Sequence, residues 1–311
     1  MISQIGSRLL RMGLTLWVVA TLVFLAIRLS GNAVDYLDSN GMGAEEREMM
    51  IRYLQLEGTW WHQYQAYIAG IFQGEFGQSF RERRPVIDMV AERVLPSAQL
   101  MLGAFILTIC VAIPLGVIAA VWRGKAPAGA AMGIAFIGYA VPNFILAILL
   151  ILIFSSWLNW FPIVGNATLS HYVLPTLVMS GLMIGSITRF TRNAMLEVLS
   201  QDYMRTARAK GLPEWIVIMR HAFGNASLTI LSVVGLQVVA KVAAGSVVVE
   251  TIFAWPGIGE LLVNAAIYRD YNVLQFGVLS VAFAVIILNT LIDLAYSWAD
   301  PRLRTRSGAL N

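Results

Sequence analysis

Six long apolar stretches dominate this chain, and such stretches leave the backbone few choices. A bilayer core is about 30 Å thick and takes about 20 mostly apolar residues to cross as a helix. No water inside it can satisfy a stray N–H or C=O, so each segment must satisfy its own. The stretches are Met12–Leu29, Ala98–Val121, Ala130–Leu158, Val173–Phe190, Leu228–Val249 and Val273–Ala299. Charged residues make up 13% of the 311 and hydrophobic ones 58%, against about 25% charged in soluble domains. The chain therefore reads as an all-α integral membrane protein with six transmembrane helices. Pro142 predicts a kink or tilted entry in the third span. Pro175 is expected in the first turn of the fourth, where its missing N–H costs little. Arg8 and Arg11 precede the first span, whose apolar run is longer than that of a secretory signal. With no cleavage site following, it reads as an uncleaved anchor.

The basic residues give the orientation. With the N-terminus inside, the inner segments hold Arg8, Arg11, Arg123, Lys125, Arg189, Arg192, Arg205, Arg208, Lys210, Arg220, Arg302, Arg304 and Arg306. The outer segments hold fewer over more residues, so both termini are expected in the cytoplasm. The expected organisation is 1–29 as N-terminus and first helix, and 30–97 as an external helical appendage. A five-helix core follows at 98–299 with a cytoplasmic loop at 191–227, then a cytoplasmic tail at 300–311. Within the appendage, Ala44–Leu56 is a helix candidate, because Glu45, Glu46 and Glu48 suit the positive end of the helix dipole. Trp60–Phe72 is a second, Gly74-Glu75-Phe76-Gly77 a turn, and Pro85 the start of a third helix leading to span two.

One polar run interrupts the apolar pattern, Gln201-Asp202-Tyr203-Met204-Arg205-Thr206-Ala207-Arg208-Ala209-Lys210-Gly211-Leu212. Ser200 or Asp202 can cap a helix start, and Gly211 is placed as a C-terminal stop. Pro213 restarts a helix at its first position, with Glu214 in the first turn. Two short helices joined at a glycine corner are expected. Ala207 and Ala209 are small enough to let another surface approach, ringed by Arg205, Arg208 and Lys210. A basic amphipathic helix lying on anionic lipid explains the same charges. The corner favours docking, since a helix lying on lipid gains nothing from being broken there.

This run resembles the cytoplasmic coupling motif of ABC importer permease subunits. Arg205, Thr206 and Ala207 stand where the motif has E-A-A, and Gly211 is its glycine. The form T-A-R-A-K-G-L, followed by Arg220-His221-Ala222 and Asn225-Ala226, is similar to the B-type subunit of the dipeptide, oligopeptide and nickel permease family. Further matches are the Gly74–Gly77 turn, Val249-Glu250-Thr251-Ile252-Phe253-Ala254-Trp255-Pro256-Gly257, Arg269-Asp270-Tyr271 and Asp300-Pro301-Arg302. The chain departs from the family at Ser30-Gly31-Asn32-Ala33, where proline-glycine-aspartate-proline is usual, and at Gly224, which replaces a proline.

The resemblance implies a type I importer permease fold with a periplasmic insertion, in a bacterial inner membrane. It also implies a second homologous permease subunit, two ATPase subunits and an extracytoplasmic solute-binding protein. Tyr203, Arg205, Thr206, Ala207, Arg208, Lys210 and Gly211 are then expected to couple to an ATPase. Trp255, Arg269 and Asp270 are expected at the binding-protein contact. ATP and magnesium would be bound by the partners, with no cofactor on this chain. Consistently, the sequence has no G-x-x-x-x-G-K-[ST] phosphate loop.

Lys241 and Glu250 are candidate pathway residues. An ammonium at mid-membrane costs about 2.5–3.5 kcal/mol on insertion scales, so Lys241 should face a cavity or a partner. A paired or snorkelling lysine at a subunit interface is the favoured alternative. Glu250 either lines the outer mouth or holds local structure, and the second is favoured. Asp293 reads as a packing group. His62, His171 and His221 are too scattered for a metal site, and Cys110 has no partner for a disulfide. The expected function is the permease subunit of an ATP-driven importer of short peptides or a similar small solute. A secondary transporter working without ATPases is the alternative, but it calls for mid-membrane charge pairs and repeated halves. An intramembrane enzyme would need convergent catalytic groups, and none is visible.

Overall fold

The computed structural model describes residues 2–30, 48, 58–240, 242 and 246–299. Eleven helices lie among them. In chain order they are α1 (Ile2–Leu29), α2 (Trp60–Gln73), α3 (Val86–Val121), α4 (Ala126–Ala140) and α5 (Asn143–Trp157). Then come α6 (Leu169–Leu199), α7 (Asp202–Ala209), α8 (Glu214–Ala240), α9 (Val247–Ile252), α10 (Ile258–Ile267) and α11 (Tyr271–Ala299). Five are long and apolar enough to cross a membrane, and the bent pair α4–α5 makes a sixth if counted as one span. The chain divides into two compact units, Met1–Leu95 with Gly257–Ile286, and Pro96–Pro256 with Ile287–Asn311. The predicted helix Ala44–Leu56 falls outside the described residues apart from Glu48.

In the first unit α1 meets α2 through aromatic rings. Phe24 packs edge-on against Tyr64 at 5.3 Å and stacks on Tyr67 at 5.8 Å. Thr21 and Tyr64 share a hydroxyl hydrogen bond of 2.7 Å. The sequence placed α2 to within one residue of its end, because Gly74 stops it in a left-handed conformation. Val86, Met89 and Val90 then pack with Leu261, Ala265 and Val273. An Arg93–Glu260 ion pair of 2.7 Å borders that cluster.

In the second unit α6 is the element others pack on. A Cβ added at Gly138 of α4 would lie 2.5 Å from the Gly181 carbonyl oxygen, and one at Gly185 only 2.6 Å from that of Ala135. The two backbones touch where Gly181 and Gly185 repeat at four-residue spacing, a close approach that membrane helices use in place of a hydrophobic driving force. Thr188 of α6 donates to the Ala112 carbonyl of α3 at 3.2 Å, two residues from Pro114 inside that helix.

Several boundaries differ from the sequence reading. The kink at Pro142 is a 101° bend between α4 and α5, because Val141 is held extended before the proline. The fourth span begins earlier, at Leu169, where the Thr168 N–H donates to His171 Nδ1 at 3.2 Å. Pro175 is thus inside the helix, not in its first turn. The same helix runs on to Leu199, since Ala194 and Met195 of its polar end are buried. After Pro213, α8 is no short helix. It passes through a π-helical turn, Val217–Phe223, and continues as the fifth span. The described part of that span runs to Ala240, and Val247–Ile252 is helical beyond residues that lie outside the described set.

Candidate functional site

The polar run folds as a short helix on a hard corner. Only two side chains of α7 turn inward, Met204 and Ala207, at 0% and 6% exposure. They are three residues apart, so they share one helical face. They pack with Met195, Val217 and Ala222 of the neighbouring helices. Tyr203, Arg205, Thr206, Arg208, Ala209 and Lys210 all face outward. Gln201, not Ser200 or Asp202, occupies the N-cap, and its side chain makes no cap bond.

Gly211 closes the corner with φ of +76° and nothing within 4 Å of where a Cβ would stand. Its requirement is conformational, not steric: an L-residue there costs about 1–2 kcal/mol. Pro213 caps α8. Across the corner, Arg208 clamps Glu214 with a fork of bonds at 3.0–3.3 Å. The Arg205–Asp202 pair at 3.7 Å is almost fully exposed and adds little. Ala207, expected at a partner contact, thus anchors the helix to its own chain, and the surface left for a partner is Tyr203, Arg205, Thr206, Ala209 and Lys210.

The turn after α9 has the opposite character. Ala254 sits at φ of +43°, and the Trp255 N–H reaches back to the Glu250 carbonyl at 2.8 Å, a Schellman ending. Glu250 and Trp255 are both fully buried. Ser97 Oγ donates to the Glu250 carboxylate at 2.8 Å. Trp255 Nε1 donates to the Pro96 carbonyl at 3.1 Å, and the ring meets Tyr172 edge-on at 4.5 Å. These contacts belong to a core built on Leu100, Leu174 and Phe253.

The end of α10 in the first unit repeats the pattern. Arg269 has φ of +54°, and the Asp270 N–H bonds the Ala265 carbonyl at 2.8 Å. Arg269 is half-buried and Asp270 buried. Ser79 Oγ donates to Asp270 Oδ2. Burial pushes the Asp270 carboxyl above the usual carboxylate range, opposed by the bond from Ser79 and by neighbouring backbone N–H groups. Lys241 lies outside the described residues.

The first unit also contains a cavity of about 520 Å³ between α1, α2 and the start of α11. Arg28, Gln63, Tyr67, Asn272 and Gln275 contribute its polar wall. Burial and the nearby Tyr64 push the Tyr67 phenol up to about 12. The sequence reading missed this cavity, and it missed Ser79 and Ser97 as partners of buried acids. Arg28 at the end of an apolar span was the one available signal.

The described residues thus combine helices long and apolar enough to cross a membrane with a short polar helix packed on them. Residues 112–305, more than half of the chain, match the family described as "Binding-protein-dependent transport system inner membrane component". The chain belongs to that family. It is 38% identical over 305 residues to the glutathione transport system permease protein GsiC of Escherichia coli K12, covering 98% of this chain and 99% of that one. The GsiC protein of Shigella flexneri serotype 5b is 37% identical over the same coverage. Among solved structures, an inward-facing form of the MetNI methionine ABC transporter aligns with a TM-score of 0.59 at 16% identity. It covers 70% of this chain and 98% of that one, a likeness of fold. The chain is therefore an ABC importer permease subunit of a bacterial inner membrane, a transport component and not an enzyme.

Proposed function

We propose that this subunit, paired with a second homologous permease, imports glutathione or a similar short peptide. Two ATPase subunits drive it, and an extracytoplasmic binding protein delivers the solute. Both termini lie in the cytoplasm, and α7 is the ATPase-coupling helix. The outward face of α7, presented on an inward anchor of Met204 and Ala207, carries this reading. That face is small, polar and held at a fixed angle by Gly211 and the Arg208–Glu214 clamp, as a part that transmits force must be.

In this scheme ATP closes the ATPases on each other. The seated α7 moves with them and passes the motion to α6 and α8, between which it is strung. Solute choice follows the relatives named for glutathione transport and rests on the binding protein as much as on this chain. Reconstitution into liposomes with the ATPases and the binding protein tests the assignment. ATP-dependent uptake of labelled glutathione or a dipeptide is expected, with none from the lone chain. Uptake by the lone chain would point instead to a secondary transporter.

A further inference from the structure

The cavity at the C-terminal end of α1 has the size of a ligand site and an unbalanced chemistry. Its volume of about 520 Å³ is within the range of about 300–1,000 Å³ typical of small-molecule pockets. Arg28 contributes a guanidinium whose Nε is buried and finds no acceptor among the described residues. The guanidinium lies over the Phe24 ring, 5.2 Å from its centre. The Tyr67 hydroxyl is likewise buried without a hydrogen-bond partner among the described residues, and it stays a protonated donor at any physiological pH. Among the described residues of the lining Glu75 is the sole carboxylate, and it is exposed. Two buried donors, Arg28 Nε and the Tyr67 hydroxyl, are thus unmatched among the described residues, and a buried donor left unmatched is costly.

We propose that this cavity binds the carboxylate of a small organic solute, held by the Arg28 guanidinium with the Tyr67 hydroxyl as second donor. A guanidinium presents N–H groups in a planar fork that fits two carboxylate oxygens. The rings of Phe24, Tyr271 and Phe276 on the same lining suit an organic body better than a bare inorganic ion. The site extends the peptide reading, on which its choice of ligand rests, because every unblocked peptide ends in a carboxylate.

The assembled importer in phosphatidylcholine nanodiscs, titrated calorimetrically with glutathione, with Ala-Ala and with Ala-Ala amide, tests this. The free acids should bind at least tenfold tighter than the amide. Arg28→Gln should abolish that preference, and Tyr67→Phe should weaken acid binding about threefold. Equal binding of acid and amide to the unmodified protein would overturn the site, as would an Arg28→Gln variant that keeps the preference. The acid–amide comparison needs no variant, so a misfolded Arg28→Gln protein does not rescue the idea. Nanodiscs containing phosphatidylglycerol separate the sources of an anion. If they remove the acid preference at every probe concentration, the occupant is a lipid headgroup and the solute assignment fails. Acid-selective binding without uptake of either peptide would sink the cargo reading and leave the site standing. Peptide uptake with no acid preference in binding would do the reverse.

Discussion

The corner at Gly211 and the turn at Trp255 are built from the same local grammar and put to opposite use. Each ends a short helix with a residue of positive φ. At Gly211 the cap is a glycine, Lys210 is exposed and Leu212 half-buried, and Met204 and Ala207 hold the helix down. At Trp255 the cap is an alanine, and the adjoining indole and the preceding carboxylate are wholly enclosed. On the proposed coupling role, the first turn holds a surface still for a partner. The second shapes the chain for itself, and its mutation should therefore act through folding.

That contrast is broken most directly by Trp255→Ala. Removing an enclosed indole should cost about 3–5 kcal/mol, read as a lower Tm in detergent and less accumulated protein. A variant of normal Tm that has lost only binding-protein docking would reverse the assignment. Gly211→Val should cost about 1–2 kcal/mol of backbone strain while leaving the chain inserted. ATP hydrolysis by the assembled importer should continue as uptake falls, and Gly211→Asn should restore most of it, since asparagine tolerates positive φ. Normal uptake by Gly211→Val would end the coupling role of the corner.

Glu214→Gln should lower stability by about 0.2–1 kcal/mol, as exposed ion pairs do. A double-mutant cycle with Arg208→Gln, read by thermal melts, isolates the clamp. Arg205→Ala, with its exposed partner, should shift stability by less than about 0.5 kcal/mol yet weaken co-purification of the ATPases. Unchanged co-purification would mean that Arg205 serves the membrane surface instead.

How far the sequence announced this molecule depended on the range of the interactions. The apolar spans, the break at Pro142 and the end of α2 at Gly74 were all legible, because solvent and backbone sterics act on neighbouring residues. The corner at Gly211 was legible for the same reason. The inward turn of Ala207 was available from the Met204–Ala207 spacing, but the smallness of alanine suggested contact with a partner instead. The ten residues of α10 are too few to stand out from a loop, and the polar residues between Glu214 and Ser227, read as part of a cytoplasmic loop, hid the unity of α8. Ser79 lies 191 residues from Asp270, and Ser97 153 from Glu250. No pattern of polar residues pairs serines with acids at such separations, so tertiary structure alone could reveal those bonds.

The continuity of α8 has a mechanical consequence. From Glu214 to Ala240 it is a single rod of 27 residues, about 40 Å long, so a rocking of about 5° at its foot sweeps its far end by about 3.5 Å. The π-helical turn at Val217–Phe223 sits at that foot, where wider hydrogen-bond spacing lets a helix change pitch without unwinding. On the proposed coupling role, such a lever turns a small push at its base into a wider stroke at its far end.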